Sequence, residues 1–464
     1  MLDRIFPPHV NGRGNPPVNP ASLAFLHWTA ADYDEQQQRY ARLRAWYNGD
    51  HNVPLTDRQK DYLAVDHLFP WSLNYLRLPV ELCVERLTVG GFDGPDGIGG
   101  RGGVLDEWWT SSRMDALQAQ VHRAAIRDGD TYLLVEWDND NGRPVFSHEP
   151  AYDGDEGMKV HYLSNLRREM TMASKVWTET RFTDTGVLET VRRLNLYLPG
   201  VIEKYQMSGG NWTPYSEPGE TSWPLAWPIG RIPVVHFRWR DDGGNWGESE
   251  LEPLIPIQQA INKAALDEME VADKTGAQLL TLTGAEWPAD APTIRAGDVL
   301  SVSAADAQWG TIPTGDLSQL ARLVEDNIVR LAQLSHIPLQ YFQVTGQVAS
   351  AATQAADDGQ LVAKVRSESV AIGNAWEDAM YLALKLNQQH GNGRDLARGE
   401  NLSARWEDFE RADRLAIEER RANIVTALIN AGAALGGALS LAALGYTEEE
   451  QAALLRGDTV GDEQ

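Results

Sequence analysis

The second half of the chain contains three segments in which apolar residues recur every three or four positions. This spacing is typical of one face of an α-helix, and the segments cover residues 251–276, 315–336 and 353–390. Pro253 and Pro256 fit the start of the first segment, because the first N–H groups of a helix have no partner within it. The third segment is far longer than the three or four turns usual for a globular helix.

The first two predicted helices each carry one apolar stripe. Its members are Leu254, Ile257 and Ile261 in the first helix, and Leu320, Val324 and Ile328 in the second. Polar residues of the first helix lie off the stripe, at Asn262, Lys263, Asp267, Glu270 and Asp273. A two-faced helix of this kind can pack against identical neighbours and turn its polar face toward a channel.

Two linking segments separate the three helices. The first contains short β-type stretches at 278–283, 298–302 and 310–313. A sheet this small is marginal alone and would gain stability by pairing across subunits. The second link follows Ile337, because the residue before a proline is pushed out of helical space, and it contains small and uncharged polar residues from 343 to 350.

The first half of the chain changes from helical to alternating patterns. Helices are predicted at 31–47, 56–67, 71–86 and 104–127, with a Gly-rich flexible linker at 92–103. Alternating apolar and polar positions predict strands at 131–137, 144–148, 176–182, 187–198, 201–207 and 232–239, and a hairpin turn at 209–211. After the long helix, the pattern predicts a strand at 402–406 and helices at 411–431 and 447–455. The predicted fold class is α+β with an antiparallel sheet.

Composition narrows the class of protein. The 464 residues can bury a large core, and 42% hydrophobic residues indicate a globular chain. A net charge of −25, from 41 basic and 66 acidic residues, disfavours a protein that reads DNA sequence, which would show a basic footprint. The single cysteine, Cys83, excludes an intramolecular disulfide and is expected to be a buried apolar thiol. The first residues contain no apolar stretch long enough for a signal peptide.

Several apparent motifs do not predict chemistry. Residues 97–102 match G-x-G-x-x-G but do not leave a strand of a βαβ unit. Aspartates cluster at 128–130, 138–142 and 153–156, and we expect these to be solvated turns. The second cluster resembles a calcium loop, but Arg143 stands where such a loop requires glycine. Four histidines, His122, His148, His161 and His236, lie on separate segments. The sequence therefore predicts no catalytic group, no metal site and no cofactor.

Residues 422–445 contain no ionisable side chain, so a membrane span has to be considered. Asn423, Thr426, Asn430 and four glycines interrupt the segment. Packed helices account for this composition better than a membrane span does, and the prediction is that the protein has no membrane partner.

The order of short motifs along the chain resembles that of portal proteins of tailed bacteriophages with long non-contractile tails, the siphoviruses. The landmarks are Trp-Tyr-Asn-Gly-Asp at 46–50, Asn-Tyr-Leu-Arg-Leu-Pro-Val at 74–80, Glu-Arg-Leu-Thr-Val-Gly-Gly-Phe at 85–92, Asp-Gly-Asp-Thr-Tyr-Leu-Leu-Val at 128–135, Ile-Pro-Val-Val-His-Phe at 232–237, Gly-Glu-Ser-Glu-Leu at 247–251 and Ile-Pro-Leu-Gln-Tyr-Phe at 337–342. The long helix follows them. One departure is visible, because the Ser-Gly pair that the family often has before this helix is replaced by Val-Ala-Ser-Ala-Ala at 348–352.

The resemblance implies a portal fold with named parts. These are a helical and antiparallel-β wing (1–250), a stem of two helices (251–276 and 315–336), a small β-rich clip (277–314), a tunnel loop (337–352), a long helix with a wing strand (353–410) and a helical crown (411–464). The clip residues expected to meet partners are Glu286, Trp287, Asp290, Arg295 and Asp298. The tunnel-loop residues expected to face DNA are Gln343, Val344, Thr345, Gly346, Gln347, Val348 and Ser350.

The resemblance also implies a function. A portal is a closed dodecameric ring at one vertex of the capsid, assembled in the host cytoplasm and carried in the virion. Its expected partners are the major capsid protein, the large terminase subunit, a head–tail adaptor and double-stranded DNA that passes without sequence recognition. It would not be an enzyme, since the terminase spends the ATP. Two alternatives stay open: a metal-dependent phage DNA-processing enzyme that uses the Asp-rich turns, and a membrane-anchored structural protein that uses residues 422–445.

Overall fold

The computed structural model describes residues 22, 24–25, 28, 35–50, 73–162, 170–182, 186, 188–220, 222–276, 280–284, 306–311, 317–342, 358–391, 393 and 401–409. Several predictions lie outside the described residues. They are the helix at 56–67, the clip residues from Glu286 to Asp298, the strand at 298–302, the loop residues from Gln343 to Ser350, and the segment from 411 onward, which includes 422–445.

Seven α-helices with defined bounds lie in this part of the chain. They are α1 (Glu35–Asn48), α2 (Arg77–Val84), α3 (Val104–Ser111), α4 (Met114–Asp128), α5 (Ile255–Gly276), α6 (Leu317–Ser335) and α7 (Gly359–His390), with a 3₁₀ turn at Leu339–Tyr341. The three helices predicted in the second half are confirmed within these bounds, as α5, α6 and α7.

Thirteen strands are described. They are β1 (Val89–Asp93), β2 (Asp130–Asp138), β3 (Arg143–Pro150), β4 (Gly157–Tyr162), β5 (Met170–Phe182), β6 (Leu188–Leu198), β7 (Val201–Ser208), β8 (Asn211–Pro214), β9 (Leu225–Ala226), β10 (Val234–Arg238), β11 (Leu280–Thr283), β12 (Gln308–Thr311) and β13 (Ser403–Trp406). The hairpin predicted at 209–211 is confirmed, since Ser208 pairs with Asn211 across it.

The strands form antiparallel sheets. The order β10-β2-β3 makes a three-stranded sheet, and β4-β5-β6-β7-β8 makes a larger one, with β9 added to β7. Two small ribbons, β1-β13 and β11-β12, complete the set. Helices mixed with antiparallel sheet confirm the predicted α+β class.

The main core forms where α7 packs on α4 and the three-stranded sheet. The Trp376 ring lies at its centre, with ring centroids 5.3 Å from Trp109 and 4.8 Å from Phe237. Its indole Nε1 donates to Nε2 of His122 at 2.9 Å, and Nδ1 of the same imidazole lies 2.9 Å from the Leu87 carbonyl oxygen. Because Nε2 accepts a hydrogen bond, the proton is on Nδ1 and the ring is neutral. Burial lowers the pKa of His122 to about 4.

The apolar stripes of α5 and α6 pack against each other within one subunit. Leu254, Ile261 and Ile328 are buried, although each helix was expected to offer its stripe to identical neighbours. Ile257 and Val324 are half-buried against the same core, and Leu320 is half-buried near the start of α6. A single chain therefore covers most of the predicted stripe by itself.

Helix boundaries differ from the predictions at three places. The helix predicted at 104–127 is two helices, because Arg113 adopts a left-handed conformation with φ of 52° between α3 and α4. The helix predicted from 71 begins at Arg77. The first helix of the second half begins at Ile255, so that Pro256 stands in its first turn and Pro253 precedes it.

The prediction of a flexible linker at 92–103 is wrong. Phe92, in β1, pairs with Ala404 of β13, and the Ile98 side chain is buried. A Cβ atom on Gly99 would lie 2.4 Å from the Gly94 nitrogen, and one on Gly103 would lie 2.5 Å from the Ile98 carbonyl oxygen. At Gly99 and Gly103 the backbone packs directly on backbone, which only a residue without a side chain permits.

Acid should destabilise this protein through His122. The unfolded imidazole takes up a proton near pH 6.5, whereas the folded one does so only near pH 4. The stability that the neutral ring contributes is thus present above pH 6.5 and is lost as pH falls toward 4, by about 3 kcal/mol at roughly 1.4 kcal/mol per pKa unit. Urea unfolding at pH 7 and pH 4.5 should show a smaller acid loss for His122→Gln, a neutral side chain that can keep both hydrogen bonds. The control is His390→Gln at the exposed end of α7, and an equal acid loss in both variants would contradict the assignment.

Candidate functional site

Tyr341 and Asp358, which lie on either side of the segment 343–357, are held together by one arginine. Arg86, buried just after α2, places Nη2 2.8 Å from Oδ2 of Asp358 and 3.0 Å from the hydroxyl of Tyr341. The Tyr341 hydroxyl in turn donates to the same carboxylate oxygen at 3.1 Å. This cluster of three side chains, which we call the loop clamp, joins the residues on either side of the segment 343–357.

Electrostatics keep the loop clamp charged. Burial would lower the pKa of Arg86, but its bonds to Tyr341 and Asp358 outweigh burial and raise the pKa above its ordinary value. Burial also raises the pKa of the Tyr341 hydroxyl, so it stays a donor at neutral pH. The guanidinium lies 5.8 Å from the centroid of the Tyr341 ring, within cation–π range.

A second cluster joins the end of α6 to the start of α7. Lys364 donates through Nζ to the carbonyl oxygen of Ser335, the last residue of α6, at 2.9 Å, and to Oε1 of Glu250 at 2.5 Å. Oε2 of Glu250 lies 3.0 Å from Nη2 of Arg240 and accepts from Nε1 of Trp239 at 3.3 Å. Glu250 is completely buried, so these partners replace the water that its charge would otherwise require. The end of α6 and the start of α7 are thereby both tied to the segment before α5.

The segment before α5 rests directly on the turn between α4 and β2. A Cβ atom on Gly129 would lie 2.8 Å from the Gly247 carbonyl oxygen, and one on Gly247 would lie 2.2 Å from that of Gly129. The Trp239 amide donates to the Gly129 carbonyl at 2.9 Å, and the Gly247 amide donates to Oδ1 of Asp130 at 2.8 Å. Two of the sequence landmarks, at 128–135 and 247–251, thus meet through their glycines.

Asp128 and Asp130 are not the solvated residues that the sequence predicted, because both are completely buried. Oδ2 of Asp130 accepts from the Tyr40 hydroxyl at 2.8 Å, and its Oδ1 lies 2.8 Å from Nε2 of His236. Asp128 accepts from the guanidinium groups of two arginines, Arg44 at 3.0 Å and Arg127 at 2.7 Å. This turn is buried because segments distant in the chain cover it and supply hydrogen-bond donors to its carboxylates.

The other two Asp-rich segments form turns, as expected. Asp138 is part of an exposed turn in which its carboxylate accepts from the amides of Asp140 and Asn141. Asp153 accepts from amides within its own turn, and it also receives Nη1 of Arg44 at 2.8 Å.

The polar face of α5 is divided between burial and solvent. Gln258 and Asn262 are buried, so the expectation that Asn262 lies on a channel-facing surface is wrong. The amide of Leu73 donates to Oδ1 of Asn262, and that of Tyr75 donates to Oε1 of Gln258, each at 3.0 Å. Further along α5, Lys263 and Asp267 form a partly exposed ion pair one turn apart. The side chains of the first half of α5 therefore act as partners for an extended backbone segment.

Two properties of the described residues bear on the alternatives. No group of three or more His, Cys, Asp or Glu side chains could hold a metal ion there. Within the same ranges, no helix is long and apolar enough to cross a membrane. Cys83 is buried as predicted, and burial raises the pKa of its thiol to about 11.

Local sequence patterns do not connect Arg86 with Asp358 or Glu250 with Lys364. Arg86 and Glu250 stand in two of the landmarks, but nothing local pairs them with residues more than a hundred positions away. Lys364 is one of several charged residues of α7, so no local signal in the sequence distinguished it.

Comparison with protein-family models matches residues 26–422 to the family described as phage portal protein, SPP1 Gp6-like. Comparison with curated proteins gives no match. Among solved structures, a chain of "Neck of empty GTA particle computed with C6 symmetry" is similar, with 14% identity, a TM-score of 0.44 and coverage of 81% of this chain and 90% of that one. A chain of "Neck of native GTA particle computed with C12 symmetry" has 13% identity, a TM-score of 0.38 and coverage of 80% and 88%. Likeness at this level does not fix a fold or an assembly.

Removing the Lys364 charge should be costly, because it leaves Glu250 buried with one cation fewer. We expect Lys364→Met to lower the free energy of unfolding by about 3 kcal/mol, in the range for a broken buried ion pair. Lys263→Met is the matched control, since its partly exposed pair on α5 should contribute less than about 1 kcal/mol. Urea unfolding measures both variants. Similar losses of unfolding free energy in the two variants would contradict the larger contribution assigned to the buried ion pair.

Proposed function

This chain belongs to the SPP1 Gp6-like family of phage portal proteins, and we propose that it works as a closed ring through which double-stranded DNA enters and leaves the capsid. The match over residues 26–422 carries the assignment of portal function. We also propose that the ring lies at one capsid vertex. There it would contact the major capsid protein, the large terminase subunit and a head–tail adaptor. No step of this function requires the chain itself to hydrolyse ATP.

The helices α5 and α6 supply surface for a ring. In the single chain, Met269 on α5 and Leu323 and Leu334 on α6 are exposed although they are large and apolar. Leu323 and Leu334 are eleven positions apart, which is close to three helical turns, so they lie on one side of α6. That side differs from the one through which Ile328 packs inside the subunit. We infer that α5 and α6 form the stem and that neighbouring stems meet at these residues.

The two linking segments would then have distinct roles. The ribbon β11-β12 stands at the base of the insert between α5 and α6, and the clip residues Glu286, Trp287, Asp290, Arg295 and Asp298 would extend from it to the terminase and adaptor. The loop clamp would fix the ends of the tunnel loop, so that residues 343–350 reach the channel from a constant base. An uncharged loop on a chain of net charge −25 suits a channel that does not hold phosphates.

Among the described residues, no observation favours the alternative of a metal-dependent DNA-processing enzyme. Its candidate ligands included Asp128 and Asp130, whose oxygens are occupied by arginine, tyrosine, histidine and backbone donors. Releasing them for a metal would leave several buried donors without partners.

The ring can be tested on the exposed side of α6. Leu323→Asp and Leu334→Asp should reduce the mass of the assembly, because each would place a carboxylate between packed stems. Gln333→Asp adds the same charge at an exposed polar position of the same helix and is the control. Size-exclusion chromatography with light scattering gives the mass, and urea unfolding checks that the subunit still folds. A ring mass unchanged in both leucine variants would contradict this stem contact.

The tunnel loop can be tested by adding charge. Gln343→Lys together with Gln347→Lys should create phosphate contacts and slow DNA packaging, most strongly at low salt. The neutral pair Gln343→Asn and Gln347→Asn controls for side-chain shape. Packaging rate is measured against ionic strength for each protein. If the lysine variant keeps the parent's rate and salt dependence, residues 343–350 do not face the DNA.

A further inference from the structure

Two amide side chains of α5 bond the backbone of residues 73–75. Oδ1 of Asn262 accepts from the Leu73 amide and Oε1 of Gln258 accepts from the Tyr75 amide, each at 3.0 Å. Nε2 of Gln258 also donates to the Leu73 carbonyl oxygen. Both side chains are at most 1% exposed, so water does not readily replace them. A displacement of α5 alone would leave these polar groups unpaired, and residues 73–75 are therefore expected to move with α5.

Residues 73–75 lead directly into α2, which begins at Arg77. A helix of eight residues spans about 12 Å. Most of α2 is enclosed by the core, and its five buried residues are Pro79, Val80, Leu82, Cys83 and Val84. Bending such a helix would break its internal hydrogen bonds or open space in a close-packed core. A shift at the start of α2 is therefore passed to its end.

Arg86 is bonded to the end of α2. Its Nη1 donates to the Leu82 carbonyl oxygen, and its amide donates to the Cys83 carbonyl oxygen, each at 3.2 Å. Nη2 of the same guanidinium bonds the Tyr341 hydroxyl and Oδ2 of Asp358. The Arg86 side chain is only 2% exposed, so it has little room to move independently of α2. The position of α2 thus determines where the guanidinium holds the loop clamp.

The loop clamp does not use all of its hydrogen-bonding atoms. Among the described residues, neither Nε of Arg86 nor Oδ1 of Asp358 has a hydrogen-bond partner, although both atoms are buried. An arginine and a carboxylate can form two parallel bonds, whereas this pair forms one, with Tyr341 bonded to the same oxygen. A small displacement of α2 would therefore change which bonds the loop clamp makes.

We propose that α2 is the connection through which α5 determines the positions of Tyr341 and Asp358. A displacement of α5 would be passed through residues 73–75 to α2, and from α2 through Arg86 to the loop clamp. The inference deepens the proposed function and rests on it for the assignment of α5 to the stem. The connection itself lies within one subunit.

A second route from α5 to the start of α7 has to be separated from this one. The helix α6 packs on α5, and Lys364 of α7 donates to the carbonyl oxygen of Ser335 at the end of α6. A displacement of α5 could reach α7 by these contacts as well. Only the route through α2 uses Arg86, so removing its guanidinium distinguishes the two routes.

Hydrogen exchange, measured by mass spectrometry on the full-length protein, tests the connection. The double variant Gln258→Leu, Asn262→Leu should speed exchange of the Val362 amide, which donates to the Asp358 carbonyl oxygen at 2.9 Å. We expect about a tenfold increase, since one lost buried hydrogen bond changes a local opening equilibrium by about this factor. Gln259→Leu, at an exposed position of the same helix, is the matched control and should leave the rate unchanged.

The same double change is then made together with Arg86→Met. There it should raise Val362 exchange by less than about twofold, because the connection is already broken. An unchanged Val362 rate in the first comparison, or the full tenfold increase beside Arg86→Met, would overturn the inference. Gln258→Met and Arg86→Lys replace any variant that does not fold, since lysine keeps the charge but lacks the fork that bonds Leu82 and Asp358 together.

Light scattering of the same samples reports on the ring separately. A parent protein that never forms rings would overturn the proposed function, whereas the connection through α2 would still be measured within each subunit. Rings in the parent, with no effect of the α5 variants on Val362 exchange, would overturn the connection and leave the proposed function standing.

Discussion

The close approach of Gly129 to Gly247 is the contact on which the arrangement of the other elements depends. Each glycine lies where a Cβ atom would come within 3 Å of the other's carbonyl oxygen. The approach lets the amide of Glu250 reach the Ile126 carbonyl at 3.0 Å, so the segment leading into α5 is bonded to the last turns of α4. Without it, α5 would start from a different place relative to β2 and β10.

Buried charges surround this contact and give it specificity. Asp128, Asp130 and Glu250 are all completely buried, and each has at least two charged or polar partners. Buried ion pairs add little net stability, because desolvation offsets much of their attraction. A misplaced helix, however, would leave one of these charges alone, and that is costly. The network therefore penalises wrong arrangements of α4, α5 and α7 more than it stabilises the right one.

The same network determines which parts of the subunit are held fixed relative to one another. Lys364 and Glu250 join α7 to the segment before α5, and the loop clamp joins Tyr341 to Asp358 just before α7. The proposed contact between copies lies elsewhere, on the exposed side of α6. Separating the fixed internal base from the outer contacts would let copies join without disturbing the loops.

The sequence by itself determined the local elements and the family. Apolar residues at helical spacing located α5, α6 and α7, and alternation located most strands, because both patterns reflect which side of an element is buried. The order of short landmarks was enough to indicate a portal, although no single landmark was specific. Local patterns also misled at residues 92–103, where glycines that suggested flexibility allow close packing instead.

Only the tertiary structure decided which polar residues are buried and which side chains or backbone groups they bond. Asp130 and Asn262 look like surface residues in their local sequence, yet both are covered by segments that lie far away in the chain. Arg86 and Asp358 are separated by 272 positions, so no periodicity connects them. The physical reason is that a hydrophobic pattern records the average environment of one element. A buried charge depends on the particular donors that other elements bring within about 3 Å of it.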